Sequence, residues 1–282
     1  AGDVFHRPGV VVAHPHARAV QVRENIAAVG FARANRLPVS VRGGGHNVAG
    51  HAVGEGAVMI DLSAMRSVRV DPDRRRATVD GGAIWRDVDA AAQAHGLATP
   101  GGLISDTGVG GLTLNGGIGW LRSRHGLAID NLVGAEVVTA DGSVVRTSPT
   151  ERPELLWALQ GGGGNFGVVT SFEFVLHPVG PEVYFAGPVY PIEAGAAPIR
   201  FWRDFLADQH DRVGSIVEFS TIPEDPGYPE DAWHKRVYTI AAMYAGDAAE
   251  GEAVLRPLLD LGEQVTDYSG RTAYVDMQQL FD

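Results

Sequence analysis

Between Thr107 and Gly119, six of thirteen residues are glycine, at positions 108, 110, 111, 116, 117 and 119. One glycine inside a helix or strand costs about 1 kcal/mol relative to alanine. The segment 100–119 therefore cannot be a long regular element. The glycines are interleaved with Leu112, Leu114 and Ile118, buried-type residues that flexible loops rarely carry. Backbone held in place so that a flat ligand can approach it closely accounts for both observations.

A second glycine stretch, Arg42-Gly43-Gly44-Gly45-His46-Asn47, follows residues 37–41, which read as a short strand. Without side chains, its amides can turn inward and cradle a phosphate or pyrophosphate. His46 would then be held against whatever carries that anion, where it could ligate, donate a proton or become joined to the ligand. His51 reads as a nearby surface or supporting group, and His14 and His16 as structural. A third stretch, Gly162-Gly163-Gly164-Asn165-Phe166-Gly167, has the G-x-G-x-x-G spacing of dinucleotide-binding folds. That fingerprint must open a helix after a strand. Here it closes a helix and opens a strand, so a tight turn approached by a ligand is the better reading.

Composition excludes several function classes. A formal charge of −11 argues against nucleic acid or an anionic membrane as partner and favours a small molecule. Lys235 is the sole lysine and follows no glycine loop, so there is no Walker-type phosphate site. The absence of cysteine removes disulfides, thiolate nucleophiles and iron–sulfur clusters. No H-E-x-x-H, G-x-S-x-G or paired metal-ligand spacing occurs, so no metal is expected. No apolar run approaches the roughly 20 residues of a membrane span. The N-terminus shows no signal pattern, and a cytoplasmic location is the expectation. No pattern encodes an oligomeric state.

Hydrophobic periodicity predicts a strand at 10–13, a helix over 17–35 interrupted at Gly30, and a strand at 57–62. A hairpin at 68–79, a helix over 84–95, a hairpin at 133–147, a helix over 153–160 and a strand at 168–174 follow. This mixture lacks a repeating βαβ rhythm, and the fold class is α+β. After residues 177–181 glycine-rich loops give way to aromatics and longer amphipathic segments, including a strand at 237–244. Two domains are expected, 1–180 and 181–282, the second reading as interrupted at its end.

Three stretches, 42–47, 101–119 with Trp120-Leu121, and 161–169, resemble in order and spacing the FAD-linked oxidases of the p-cresol methylhydroxylase/vanillyl-alcohol oxidase superfamily. The berberine-bridge-enzyme-like branch is the best match. The resemblance covers residues 8 to 180 and continues more faintly to the end. It implies a PCMH-type FAD-binding domain of two α+β subdomains, followed by part of an α+β substrate domain. It places His46 on the histidine bonded to the flavin 8α-methyl. Arg42, Gly43, Gly44, Gly45 and Asn47 would then surround the pyrophosphate. Thr107, Gly108, Gly110, Gly111 and Asn115 would line the pyrophosphate and ribityl side, with Gly167 and Val169 near the adenosine end.

Many members add a second flavin bond through cysteine in a Gly-Leu-x-Cys-Asp-Asn run. Here Ile129 holds that position in Gly126-Leu127-Ala128-Ile129-Asp130-Asn131. A single histidyl link is therefore expected, as in the 6-hydroxy-D-nicotine oxidase-like group. The resemblance further implies hydride transfer from an alcohol, sugar or amine to flavin, with O2 reduced to H2O2. A dehydrogenase using another acceptor and a noncatalytic FAD-binding remnant are the alternatives. The family's general base falls in a segment expected beyond Asp282, so no catalytic residue is assigned. Tyr238, Tyr244 and Glu218 read as core or sheet-surface residues that could face the cavity.

Overall fold

The computed structural model describes residues 18–209 and 211–282, so the expected strand at 10–13, His14 and His16 lie outside the described residues. The helix Arg18–Asn35 runs through Gly30 without the expected interruption. Val29 and Ala32 bury their side chains, Val29 against Ile60, Leu62, Met65 and Val138. That burial outweighs one glycine's helix penalty. The helix stops where Arg36 turns to a φ of 55°.

Two strands, Val39–Arg42 and Val58–Asp61, pair in parallel with Val39 opposite Val58. The glycine turn at 43–56 connects them, so it leaves a strand end as expected. A separate five-stranded antiparallel sheet has the order Val68–Asp71, Arg76–Asp80, Val168–Val175, Leu132–Val138, Val144–Thr147. The two hairpins read from the sequence are its outer pairs, and Val168–Val175 is its middle strand. Trp85, Val88 and Ala92 recur at helical spacing on Trp85–Gln93 and pack against Phe172 and Phe174. The Asp87 carboxylate accepts from the Ile84 amide at 3.1 Å, capping that helix.

From Glu182 onward a six-stranded antiparallel sheet forms around Arg236–Tyr244. Val213–Thr221 lies along one side of that strand, and Glu182–Ala186 and Pro188–Pro191 lie in continuous register along the other. Period-two alternation sorts its side chains. Tyr238, Ile240, Ala242 and Tyr244 share a core with side chains of the helices Ala197–Asp208 and Ala248–Leu255, while Ala241 and Met243 pack with Trp120 and Leu121. Tyr238 donates to the Gly195 carbonyl at 3.1 Å and Tyr244 accepts from Arg212 at 2.8 Å. Both tyrosines are thus core residues on the helix-covered side, and Glu218 is exposed on the opposite face of its strand.

The two sheets are joined through the end of the glycine segment. A Cβ on Gly214 would fall 1.9 Å from the Trp120 carbonyl oxygen, so only glycine allows the backbones to touch there. Arg122 and Arg124 donate to the carbonyls of Ser215 and Ala245, and Ser123 donates to that of Val213 at 2.9 Å. Asp282 accepts from the Ser105 amide at 2.8 Å and from Arg86 at 2.6 Å.

Candidate functional site

The glycine turns meet at the backbone. A Cβ on Gly44 would lie 2.4 Å from the Gly108 nitrogen, and one on Gly108 would lie 2.3 Å from the Gly44 nitrogen. Gly81, which the motif search passed over, sits between the parts: its carbonyl is 3.5 Å from a Cβ on Gly43 and 3.4 Å from one on Gly110. The third stretch joins through Asn115, whose Oδ1 is 3.2 Å from a Cβ on Gly163. Three segments distant in sequence therefore converge.

Hydrogen bonding explains why the second turn holds its shape. Trp85 donates its amide to Thr107 at 3.0 Å, Arg86 to Ser105 at 2.8 Å, and Val109 to Ala83 at 2.9 Å. The short helix Val109–Leu114 starts at this anchor. Among the described residues, the amides of Gly43, Gly44, Gly45, His46, Gly110 and Gly111 meet no acceptor. Unpaired donors clustered in adjoining turns are what an anionic group requires. Val48 in the first turn and Ile118 near the end of the second segment are exposed, and Ile118 departs from the buried role expected of it. Such a surface fits a ligand with an anionic linker and a flat apolar part.

His46 sits at this junction. Its Nε2 lies 3.1 Å from Asp106 Oδ1, with both side chains about half exposed, at 44% and 55%. Motif reading missed Asp106, because its identity within the second turn says nothing about a partner sixty residues earlier. Arg42 is paired with Asp61 at 2.9 Å, and its guanidinium covers Gly45. Asn47 accepts from the His51 amide at 2.9 Å, and Asn115 donates to the Gly111 carbonyl at 2.8 Å. These three polar side chains brace the turns themselves.

Gly167 and Val169 have packing reasons of their own. A Cβ on Gly167 would meet the Val138 carbonyl at 2.4 Å, and the Val169 side chain is buried in the main core. The Val169 backbone is paired with Val137 in the sheet, and its carbonyl lies 2.3 Å from a Cβ on Gly81. Thr107 contributes its carbonyl to the anchor on Trp85. Ile129 is buried in the helical turn Ala128–Asn131, which Asp130 caps by accepting from the Leu127 amide at 2.8 Å.

Two titratable groups away from this junction are shifted from their ordinary values. Asp89 is buried, accepts from Gln278 at 3.2 Å, and has a second oxygen with no partner; burial pushes its carboxyl up to about 7. His125 stacks on His177 with ring centroids 3.7 Å apart, and His177 contacts Asn131 at 2.7 Å. Burial, then the neighbouring His177 and Arg124, bring His125 down to about 4. No group of three or more His, Asp or Glu residues able to hold a metal occurs among the described residues. No helix there is long and apolar enough to cross a membrane.

With this geometry in view, residues 16–148 match the model of the FAD binding domain. The chain is 41% identical to (R)-6-hydroxynicotine oxidase from Paenarthrobacter nicotinovorans over 284 aligned residues, covering 99% of this chain and 58% of that protein. The crystal structure of 6-hydroxy-D-nicotine oxidase from Arthrobacter nicotinovorans superposes with a TM-score of 0.81 at 33% identity, over 92% of this chain and 56% of that one. Glucooligosaccharide oxidase from Acremonium strictum, described with a 6-S-cysteinyl, 8α-N1-histidyl FAD, gives 0.76 at 26% identity, over 96% and 55%. The fold and site define an FAD-binding protein of the PCMH type. Over nearly its whole length the chain is similar to FAD-linked oxidoreductases, the 6-hydroxynicotine and oligosaccharide oxidases among them. The chain spans a little over half the length of these relatives.

Proposed function

We propose that the protein of which this chain is a part is an FAD-dependent oxidase. It would take hydride from a C–H bond of a small alcohol, sugar or amine and pass the electrons to O2, releasing H2O2. FAD supplies the hydride acceptor and the route to oxygen. One observation carries the reading: unpaired amides of two glycine turns in backbone contact, with an exposed histidine at their edge. Residues 1–180 would form the FAD-binding domain and 181–282 part of the substrate domain.

Within that frame the amides of Gly43, Gly44, Gly45, Gly110 and Gly111 would hold the pyrophosphate. Arg42, Asn47 and Asn115 would act by bracing the turns. Gly108 and Thr107 keep the turns together, and backbone at Gly167 and Val169 would flank the adenosine end. His46 would be the single point of covalent attachment, since Ile129 has no nucleophilic atom.

Purified full-length protein should be yellow, keep the colour with the denatured chain, and gain the mass of one FAD. Under anaerobic screening, one substrate class should bleach it, and air should restore colour with peroxide release. Bleaching without peroxide in air would make it a dehydrogenase. A colourless protein that takes up no FAD would overturn the proposal.

A further inference from the structure

We propose that Asp106 is the positioning residue for His46, holding the ring proton on Nε2 so that Nδ1 is the atom that bonds to the flavin. The inference rests on the histidyl link proposed above and extends it to a residue on a different turn. A neutral imidazole carries one proton, and the partner of one nitrogen decides which nitrogen keeps it. Here a carboxylate oxygen stands 3.1 Å from Nε2, while among the described residues Nδ1 has no partner. Nδ1 is left with a free lone pair.

The position of Asp106 is set by its neighbours rather than by its own side chain. Ser105 is pinned by the Arg86 amide at 2.8 Å and by Asp282, and Thr107 by the Trp85 amide at 3.0 Å. The carboxylate therefore projects from a fixed point into the space beside the first turn. It makes no other ion pair or side-chain hydrogen bond among the described residues, so its charge is available to the imidazole.

In the joining step the 8α-methyl carbon releases one proton and bonds to Nδ1. The electron pair of that C–H bond enters the flavin ring, which ends reduced by two electrons. The imidazole, substituted on Nδ1 and still protonated on Nε2, is cationic until the second proton leaves, and Asp106 lowers the cost of that charge. Dioxygen takes the two electrons and two protons and leaves as H2O2, restoring the oxidised ring.

The test uses full-length protein made in riboflavin-starved cells with isotopically labelled histidine nitrogens, His46 being assigned by its loss in His46→Asn. Nitrogen chemical shifts before FAD addition should show Nδ1 unprotonated in the wild type and mixed tautomers in Asp106→Ala. After FAD addition in air, intact mass should show the adduct forming about 10- to 100-fold more slowly in Asp106→Ala, the range seen when the carboxylate behind a metal-bound histidine is removed. Noncovalent FAD uptake, followed by quenching of flavin fluorescence, should be unchanged, and Asp106→Glu should recover part of the rate. An unaltered tautomer and adduct rate in Asp106→Ala would overturn the role of Asp106 and leave the link standing. Absence of adduct in the wild type would overturn the link, and the role of Asp106 with it.

Discussion

The turn at 43–56 and the turn at 101–119 are both dense in glycine, yet away from the point where Gly44 meets Gly108 they use it differently. In the second, glycine is a packing requirement: a Cβ on Gly101 would strike the Trp85 ring at 2.7 Å, and one on Gly119 the Gly101 carbonyl at 2.3 Å. In the first, Gly50 and Gly56 meet nothing within 4 Å, and residues 45–51 are exposed. One turn is a frame fastened to the helix Trp85–Gln93, and the other is a flap on a two-stranded pair. Composition marks both as places of close approach. Only packing shows which approaches protein and which is left for a ligand.

The strongest break in that comparison is His46→Ala. It should leave the frame and the melting temperature unchanged while abolishing the FAD adduct, read as intact mass after denaturation. A surviving adduct would move the attachment point to another residue.

Next in size is the helix that holds the frame. Asp89 ionises near 3.8 when unfolded and near 7 when folded. Between those values the folded state binds more protons, so stability falls as pH rises from about 4 to about 7. The full cost above that window is of order 4 kcal/mol at most. Asp89→Asn should therefore raise the melting temperature at pH 8 and change it little at pH 4. His125 works in the other direction, since its lowered value makes stability rise with pH from about 4 to its ordinary range. The difference between variant and wild type isolates the Asp89 contribution. Equal gains at both pH values would show that the carboxyl is not held neutral.

Gly119→Ala should cost about 1–3 kcal/mol through overpacking, measured by urea unfolding, because backbone must move. Gly111→Ala is the smallest and sharpest case. Its Cβ meets nothing within 4 Å and lies in a helix, so flavin-free protein should gain up to about 1 kcal/mol. FAD affinity should fall, because the proposed site puts the cofactor in that open space. Unchanged affinity would return Gly111 to the frame.

The first half of the fold was largely legible. Turn residues and period-two runs placed both hairpins of the five-stranded sheet, and the glycine stop placed Trp85–Gln93. The second half was read poorly. Strand Val213–Thr221 escaped notice because its outer half, from Glu218 to Thr221, is exposed and carries no core pattern. Tyr238 and Tyr244 gave no sign of which side of the sheet they would take. Propensity weighs locally and marks Gly30 as an interruption, whereas the burial of Val29 and Ala32 is tertiary.

By itself the sequence determined that three glycine turns exist, that one carries a histidine, that residues 1–282 hold no thiol, and that the class is α+β. Those properties depend on residue type and spacing along the chain. Tertiary structure alone decided that Gly44 touches Gly108, that Gly81 sits between the turns, and that Asp106 faces His46. Contacts between residues 29 to 64 positions apart arise from how strands pair and helices dock, and no local pattern of side chains records them.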